Sequence, residues 1–595
     1  MRDACTSPGS RSTPLVLSLA HEQRLRCHSH IDERCSGFFA LGLAKASGLP
    51  VAVTCTSGTA VAELLPAVVE AHEAGVPLLI LSADRPPELR ESGAGQTIDQ
   101  VKIFGDCAKW FFDVGTHELD GAGRLRWMRT LACRAYWCAL EGRPGVVHLN
   151  FALREPLVSD GQPLPPDVTG RPGRTPYVQR TPGRLADPQA IAELRALVAG
   201  ARRGVLIAGR HERDTPLGAA AAAFCAAAGW PLLADPLCGA RRGEHAVAHY
   251  DALLRDPRFA AANRPDLVIR VGDLPTSKPL REWLAGLDAT PQAQLDPEGS
   301  WQDPASVLGH ALALEPAHAL AALAREPTAL PAGDPDWLGT WRSADERAAE
   351  AILGVLAADG LSEPAVAAEL GVLLPAGATL FVASSMPVRD IETFWPVRPD
   401  PPRVLCNRGA NGIDGTVSSA FGAAAATAAA DARRDGPVVL LIGDVALAHD
   451  LGGLLAAQRL RLPLTIVLLD NGGGGIFDFL PVAADPLARA APGTPAEPQA
   501  HAPGTAGGLD REDLYTRHIA TPTGLDFAHA AQLYGLRHER VADVAAFRAA
   551  LERALSGRPP TATIVEVRGA RDANVALHRR VWAAVAGALA PDTPH

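Results

Sequence analysis

The stretch covering residues 438–479 limits the possible folds of this chain more than any other. It reads VVLLIGD (438–444), a helical run from His449 to Leu460, an apolar segment PLTIVLLD (463–470), and then Asn471, four glycines, Ile476 and Phe477. Apolar runs that end in Gly443-Asp444 and Asp470-Asn471 are the pattern of buried parallel strands whose polar residues emerge at the carboxyl edge of one sheet. A carboxylate, an amide oxygen and the carbonyls of a glycine-rich turn, gathered at one edge, form an oxygen-rich half-shell suited to Mg²⁺. Such a shell leaves positions for water and diphosphate oxygens. Two ordinary sheet strands followed by a loose glycine loop would leave the same letters, so the pair alone does not choose between the readings.

The rest of the chain repeats the strand–helix alternation. At 595 residues it is too long for one core and predicts several domains of roughly 150–200 residues each. In a first unit, residues 1–158, VAVTCTSG (51–58) reads as a strand running into a turn, 59–74 as a helix, and VPLLILSAD (76–84) and GVVHLNF (145–151) as further strands. A Pro/Gly/Arg-rich stretch, 159–188, reads as a linker. A second unit, 189–330, contains GVLIAG (204–209), an Ala-rich helix (217–228), WPLLAD (230–235) and DLVIRVGD (266–273). Proline-rich residues 315–336 mark the next boundary. The third unit, 340–595, opens with a long helix near Trp341 and holds TLFVASS (379–385), the opening stretch and TATIVEV (561–567). The predicted fold class is α/β, three doubly wound parallel-sheet domains.

Two segments break the pattern. Residues 482–523, rich in Pro, Ala and Gly, are expected to be a flexible insertion. At the start, Asp3 to Thr6 falls short of the usual strand of about 5–6 residues, and no helix precedes it. The expectation is that the natural chain begins upstream and that Met1 is a misassigned start. Losing ~200 Å² of cover at about 25 cal/mol per Å², or ~5 kcal/mol, would then leave the chain as written poorly soluble or weakly active.

Composition removes several function classes. The formal charge of −10 argues against a nucleic-acid footprint, which needs a basic face. No run approaches the roughly 20 apolar residues of a bilayer span, and MRDACTSPGSRS has no apolar core of a signal peptide. Ten cysteines without a CxxC pair, several in apolar contexts (Cys55, Cys225, Cys406), fit core residues of a reducing cytoplasm.

The chemistry-bearing segments cluster at predicted turns. HSHIDERCSGFFALGLAKASG (28–48) places Glu33 in the first turn of a helix with Phe38 and Leu41 at helical spacing. Alone, Glu33 reads as an acid favoured by the helix dipole. SPGSRSTP (7–14), TSGTA (56–60), SADRPPELR (82–90), SSMPVRD (384–390) and CNRGANGIDG (406–415) complete the set. With these motifs the chain resembles the thiamine-diphosphate enzymes of the 2-oxo-acid decarboxylase superfamily. Within them it resembles the family of 2-succinyl-5-enolpyruvyl-6-hydroxy-3-cyclohexene-1-carboxylate (SEPHCHC) synthases of menaquinone biosynthesis. The resemblance runs from Ser7 to the C-terminus apart from the linker and the insertion. SPGSRSTP, DER…LGLAK, ADRPPEL and NRGxxGIDG carry the narrower likeness; GD…N carries only the broader one.

The resemblance implies pyrimidine-binding, central and diphosphate-binding domains, thiamine diphosphate, and Mg²⁺ or Mn²⁺. The implied reaction decarboxylates 2-oxoglutarate and adds the succinyl carbanion equivalent to isochorismate, giving SEPHCHC and CO₂. Glu33 would contact N1′ of the aminopyrimidine and favour the imino tautomer whose nitrogen removes the thiazolium C2 proton. Ile413 would hold the bent cofactor conformation. Ser385, Gly443, Asp444 and Asn471 would contact the cofactor, and Asp444, Asn471 and the Gly473 carbonyl would bind the metal. The family often has two Asn before the glycines; here Asp470 takes the first place and Gly472 follows the ligand Asn471.

Substrates with several carboxylates need fixed cations, and the Arg fork serves best. By resemblance the substrate contacts are Ser10, Arg11, Arg85, Gln96, Lys278, Ser385, Arg389 and Arg408, with Ile476, Phe477 and Leu480 as an apolar wall. A homodimer or homotetramer with sites shared between subunits is implied as well.

Three other readings stand beside this one. A sister carboligase or oxo-acid decarboxylase of the acetolactate synthase kind would use pyruvate, which lacks the second carboxylate that these arginines suit. A flavin or nicotinamide oxidoreductase would use the central unit, but GVLIAGRHERD has no GxGxxG after its strand. A non-catalytic binding protein on the same scaffold would be suggested by loss of Glu33 or Asp444, and both are present.

Overall fold

The computed structural model describes residues 1–117, 122–158, 187–213, 216–326, 333–429, 435–489, 513–557 and 561–590, together with Leu330 and several positions between 170 and 180. The described strands form three six-stranded parallel sheets. The first comprises β1 (Asp3–Thr6), β2 (Arg26–Ser29), β3 (Val51–Cys55), β4 (Leu78–Asp84), β5 (Ala108–Asp113) and β6 (Val146–Ala152), in the order β2-β1-β3-β4-β6-β5. The second comprises β7 (Gly204–Ala208), β8 (Leu232–Ala234), β9 (Ala246–Val247), β10 (Leu267–Val271), β11 (Gln292–Leu295) and β12 (His310–Leu312), ordered β12-β11-β10-β7-β8-β9. The third holds β13 (Thr379–Val382), β14 (Arg403–Leu405), β15 (Val438–Gly443), β16 (Thr465–Asp470), β17 (Arg537–Val541) and β18 (Thr563–Arg568), ordered β14-β13-β15-β16-β18-β17. The first and third sheets thus share one strand order. In each, the chain steps to one side after its first strand and to the other afterwards, which opens a crevice at the carboxyl ends of the strands.

Several boundaries differ from expectation, each for a local reason. Asp3–Thr6 is a complete strand despite its four residues, because it lies between β2 and β3, pairs with both and is wholly buried. The expected helix over 59–74 is two helices, Thr59–Ala62 and Leu65–Ala74, the second with Pro66 in its first turn. The helical run assigned to 449–460 starts earlier, as Asp444–His449, and resumes as Leu455–Arg459 after a turn containing Gly452 and Gly453. Residues 315–336 are not one linker: Pro316 opens helix Pro316–Ala324, which packs on Leu217–Ala228, and Pro335 opens the long helix Pro335–Asp359. Proline tolerates the first helical turn, where its missing N–H is not needed. Of the insertion at 482–523, residues 490–512 lie outside the described residues, but the flanks are ordered. Tyr515 is fully buried and donates to Asp478 Oδ1 at 2.6 Å. Most of the 159–188 linker also lies outside the described residues, and Pro188 already begins helix Pro188–Ala199.

The three units are fused by buried contacts. Helix Glu33–Ser47 of the first unit crosses Thr416–Thr427 of the third so closely that a Cβ on Gly42 would sit 1.9 Å from the Ser419 carbonyl oxygen. A Cβ on Gly422 would sit 2.0 Å from that of Phe39. Helix Pro335–Asp359 links the other pair: Trp337 Nε1 donates to the Gly204 carbonyl at 2.9 Å, and the buried Trp341 stacks edge-on against Phe259 and Trp283. No single helix among the described residues is long and apolar enough to cross a membrane.

The loops at the carboxyl edge of the first sheet rest on a buried polar chain. His148 Nε2 meets Ser82 Oγ at 2.7 Å, and Ser82 donates to Asn150 Oδ1 at 2.9 Å. Gln100 donates to the same oxygen at 3.0 Å while accepting from Gly58 N at 2.9 Å. Burial pushes His148 down to about 3. The unfolded imidazole titrates near 6.5, so between those two values protons bind the unfolded chain in preference. Stability from this residue is therefore complete above about pH 6.5 and is lost as pH falls, ~2 kcal/mol of it by pH 5. Melting curves of the wild type and His148→Gln between pH 7 and pH 5 test this. The variant should start less stable but fall less steeply, and parallel curves would exclude His148 as a source of the acid sensitivity.

Candidate active site

The carboxyl edge of the third sheet collects most of the residues singled out from the sequence. After β13 the chain passes Ser384 and reaches Ser385, whose φ of +72° is unusual for a side-chain-bearing residue. Helix Met386–Phe394 follows directly and carries Arg389, whose Nη1 donates to the Ser385 carbonyl at 2.5 Å. After β15, Gly443 caps helix Asp444–His449, so the Asp444 carboxylate stands in a first helical turn, where negative charge is favoured. Asp444 is 2% exposed and accepts from Gly473 N at 2.8 Å. Burial, and after it the charge of Asp470, pushes its pKa up to about 6.

After β16, Asn471 turns into the glycine run. Gly473 has φ +134°, and a Cβ there would lie 2.5 Å from the Ala520 carbonyl oxygen, which accepts from Gly474 N at 2.6 Å. The run is therefore a held loop, not a loose one. Asn471 Nδ2 donates to Glu363 Oε1 at 2.8 Å, while its Oδ1 is buried without a partner. Buried amide oxygens are seldom left unpaired, and one aimed beside a carboxylate points to an absent electrophile.

These groups line one cavity of about 420 Å³. Its wall includes Ser385, Arg389, Arg408, Ile413, Gly443, Asp444, Asn471, Gly473, Ile476 and Phe477. A carboxylate and an unpartnered amide oxygen on one wall fit a hard divalent cation that completes its shell with waters and diphosphate oxygens. Among the described residues no group of three or more His, Cys, Asp or Glu could hold a metal unaided. The Arg408 guanidinium pairs with no carboxylate among the described residues. Arg389 is lowered by burial first and then by the charges of Arg408 and Arg281. Arginines crowded together call for an anionic guest.

Two expected wall residues are not brought to this cavity. Lys278 begins helix Lys278–Ala285, whose buried face is Pro279, Leu280, Trp283 and Leu284; its side chain is 76% exposed and pairs with Glu282 at 3.4 Å. The central-unit cation near Arg389 is instead Arg281, one turn further along. Leu480 ends the Gly475–Phe479 turn outside the cavity lining and is 48% exposed. Sequence reasoning missed Arg281 and Glu363. The helical phase after Ser277 could have suggested the first, whereas nothing local marks the second.

The first-unit residues form a separate group at the carboxyl edge of their own sheet. Arg11 is largely buried; it donates to the Leu153 carbonyl at 2.9 Å and faces Glu155 at 3.3 Å. Arg85 donates to Ser57 Oγ, which donates to the Gln96 carbonyl at 3.0 Å, with Gln96 itself at φ +53°. Arg85 is lowered by burial and next by the charge of Arg11, which places the two guanidinium groups close together. Ser10 is exposed on the adjoining turn. Glu33 opens helix Glu33–Ser47 behind Asp32, which caps it by accepting from Arg34 N at 2.8 Å. Burial raises the Glu33 carboxyl above its usual range, against the pull of helix-start N–H groups. None of these residues lines the cavity that holds Asp444.

Comparison with known proteins gives the context of this arrangement. Residues 1–103 match the N-terminal TPP binding domain of thiamine pyrophosphate enzymes, 173–382 their middle domain, and 391–567 their C-terminal TPP binding domain. The 2-succinyl-5-enolpyruvyl-6-hydroxy-3-cyclohexene-1-carboxylate synthase of Chloroflexus aurantiacus is 42% identical over 99% of this chain and 94% of its own length. That of Geobacillus kaustophilus is 41% identical over 99% and 96%, and that of Myxococcus xanthus 40% over 99% and 95%. The X-ray structure of a Mycobacterium smegmatis enzyme classed as thiamin diphosphate-dependent shares the fold, with a TM-score of 0.65 at 18% identity, covering 96% of each chain. The chain therefore belongs to the thiamine-diphosphate enzymes, and among them to the 2-succinyl-5-enolpyruvyl-6-hydroxy-3-cyclohexene-1-carboxylate synthases, transferases of menaquinone biosynthesis.

Proposed function

We propose that this enzyme decarboxylates 2-oxoglutarate and adds the remaining succinyl unit to isochorismate, releasing CO₂, in the cytoplasm and with a divalent cation. The observation that carries the reading is a single cavity. It joins the Asp444 carboxylate and the unpartnered Asn471 Oδ1 on one wall to Arg389 and Arg408 on another. Asp444, Asn471 Oδ1 and the Gly473 carbonyl would hold Mg²⁺ or Mn²⁺, and Gly443 and Ser385 would border the diphosphate. Bound thiamine diphosphate supplies a thiazolium carbon that can stabilise the negative charge left when a 2-oxo acid loses CO₂.

The chain's own groups do the rest. Ile413, on the cavity wall, is placed to set the bend of the cofactor, and Ile476 and Phe477 offer apolar contact to a ring acceptor. Arg389 and Arg408 neutralise substrate carboxylates in a site where water is scarce. Arg11, Arg85, Ser10 and Gln96 serve the same substrates from the other edge. Glu33, raised by burial, is suited to share a proton with a ring nitrogen. Because the two edges do not share a cavity within one chain, the complete site is formed by two copies, the first unit of one facing the third unit of the other.

Product analysis with the substrate pair tests the activity. CO₂ release should require thiamine diphosphate, a divalent cation and 2-oxoglutarate, and the coupled product should require isochorismate; turnover of pyruvate to acetolactate would replace this reading with the sister one. For Glu33, replacement by Gln should abolish most exchange of the cofactor C2 proton, followed by NMR, at unchanged melting temperature and with cofactor still bound. Wild-type exchange in that variant would remove Glu33 from the mechanism. Mixing Glu33→Gln with Asp444→Ala subunits, each inactive alone, should restore part of the activity through hybrid sites. If labelled subunits are seen to exchange and no activity returns, each site is built from one chain.

A further inference from the structure

The metal reading leaves a question of chemistry. A carboxamide is nearly symmetric in shape, so Asn471 could present either its oxygen or its NH₂ to the cavity, and only the oxygen can bind a cation. Something must hold the amide one way round. Its Nδ2 lies 2.8 Å from Glu363 Oε1, and Oδ1 is left facing elsewhere without a partner. In this structure the Glu363 oxygen accepts from the amide nitrogen, which leaves the amide oxygen as the end turned away from Glu363.

Glu363 is itself fixed. It is the first residue of helix Glu363–Leu373, capped by Ser362, whose side chain accepts from Ala365 N, and it is 6% exposed. A helix-start acid kept only for the dipole would sit in water, where burial costs nothing. This one is buried and pairs with no cation among the described residues, and its side chain bonds the Asn471 amide. We infer that Glu363 is a positioning residue for the metal site: it locks the Asn471 amide with its oxygen toward the cavity. It thereby sets the affinity for the divalent cation through that amide, although it lines the same cavity.

The inference rests on Asn471 being a metal ligand, and the experiment separates the two. Free Mn²⁺ is followed by electron paramagnetic resonance during titration of the full-length protein with thiamine diphosphate, independently of turnover. Glu363→Leu, which removes the acceptor, should weaken Mn²⁺ binding about 10–100-fold. Glu363→Gln, whose amide can donate to Oδ1 as well as accept from Nδ2, holds the orientation less firmly and should weaken binding by less than Glu363→Leu does. Asn471→Ala should weaken binding at least as much as Glu363→Leu, and adding Glu363→Leu to it should change nothing further, because the two act through one amide. If Asn471→Ala weakens binding and Glu363→Leu does not, the positioning role is overturned while the metal site stands. If Asn471→Ala has no effect, the metal reading itself falls. Should Glu363→Leu not fold, wild-type Mn²⁺ binding in Glu363→Gln, whose amide can pair with either end of Asn471, overturns the role.

Discussion

A fully buried lysine holds the three units of this enzyme in one arrangement. The Lys45 side chain is 0% exposed; its Nζ donates to Glu212 Oε2 of the central unit at 2.9 Å and to the Cys406 carbonyl of the third at 2.5 Å, with Glu70 at 3.6 Å. Burying a charge costs several kcal/mol unless every lone pair and proton is met. The carboxylates are further satisfied: Glu212 also accepts from Cys406 N at 2.8 Å, and Glu70 accepts from Gly409 N at 2.9 Å and Ala410 N at 2.7 Å. Arg403 closes the junction by donating to the carbonyls of Lys45, Ala46 and Glu212, each at 2.8 Å. Loss of any one member would strand a charge in a dry place, so the domains cannot shift independently at this point.

That junction also fixes Arg408, a lining residue of the cavity at the third sheet. Cys406, Gly409 and Ala410, all bound by it, bracket Arg408, which therefore enters the cavity on a backbone clamped from three sides. A guanidinium with no carboxylate partner would swing into water if its backbone were free. Holding the main chain is how this structure keeps it at the cavity. The glycine contacts between Glu33–Ser47 and Thr416–Thr427 work in the same direction, since helices this close can slide only by driving backbone into backbone.

The strand ends were legible because an apolar run stopped by one polar residue carries its own position: Asp444, Asn471 and Ser385 all lie where that pattern puts them. Helix phase was less legible. Lys278 and Arg281 are three residues apart on one helix, and only the packing of Leu280 and Trp283 shows that position 278 faces water. Glu363 could not be found from its neighbours, since the residue that gives it meaning, Asn471, is far along the chain and meets it only through the fold. Composition misled at Thr516–Ala520 and Pro316–Ala324. Tertiary contacts there, Tyr515 on Asp478 and one helix on Leu217–Ala228, override the loop-like letters.

The glycine run after Asn471 shows why such overriding matters for chemistry. Read as sequence, four successive glycines suggest slack, because each adds backbone freedom to be lost on folding. In the structure the freedom is used at Gly472 and Gly473, with φ of +77° and +134°, and at Gly473 the contact with the Ala520 carbonyl excludes a side chain as well. The cost of ordering the run is offset by bonds from its two middle residues: Gly473 N to Asp444, and Gly474 N to the Ala520 carbonyl. Ala520 is buried beneath a segment tied down by Tyr515, so the loop that should carry a metal-binding carbonyl depends on residues after the insertion as much as on the strand before it. The precision of the site thus comes from contacts that are distant in sequence, and glycine is what lets the backbone reach them.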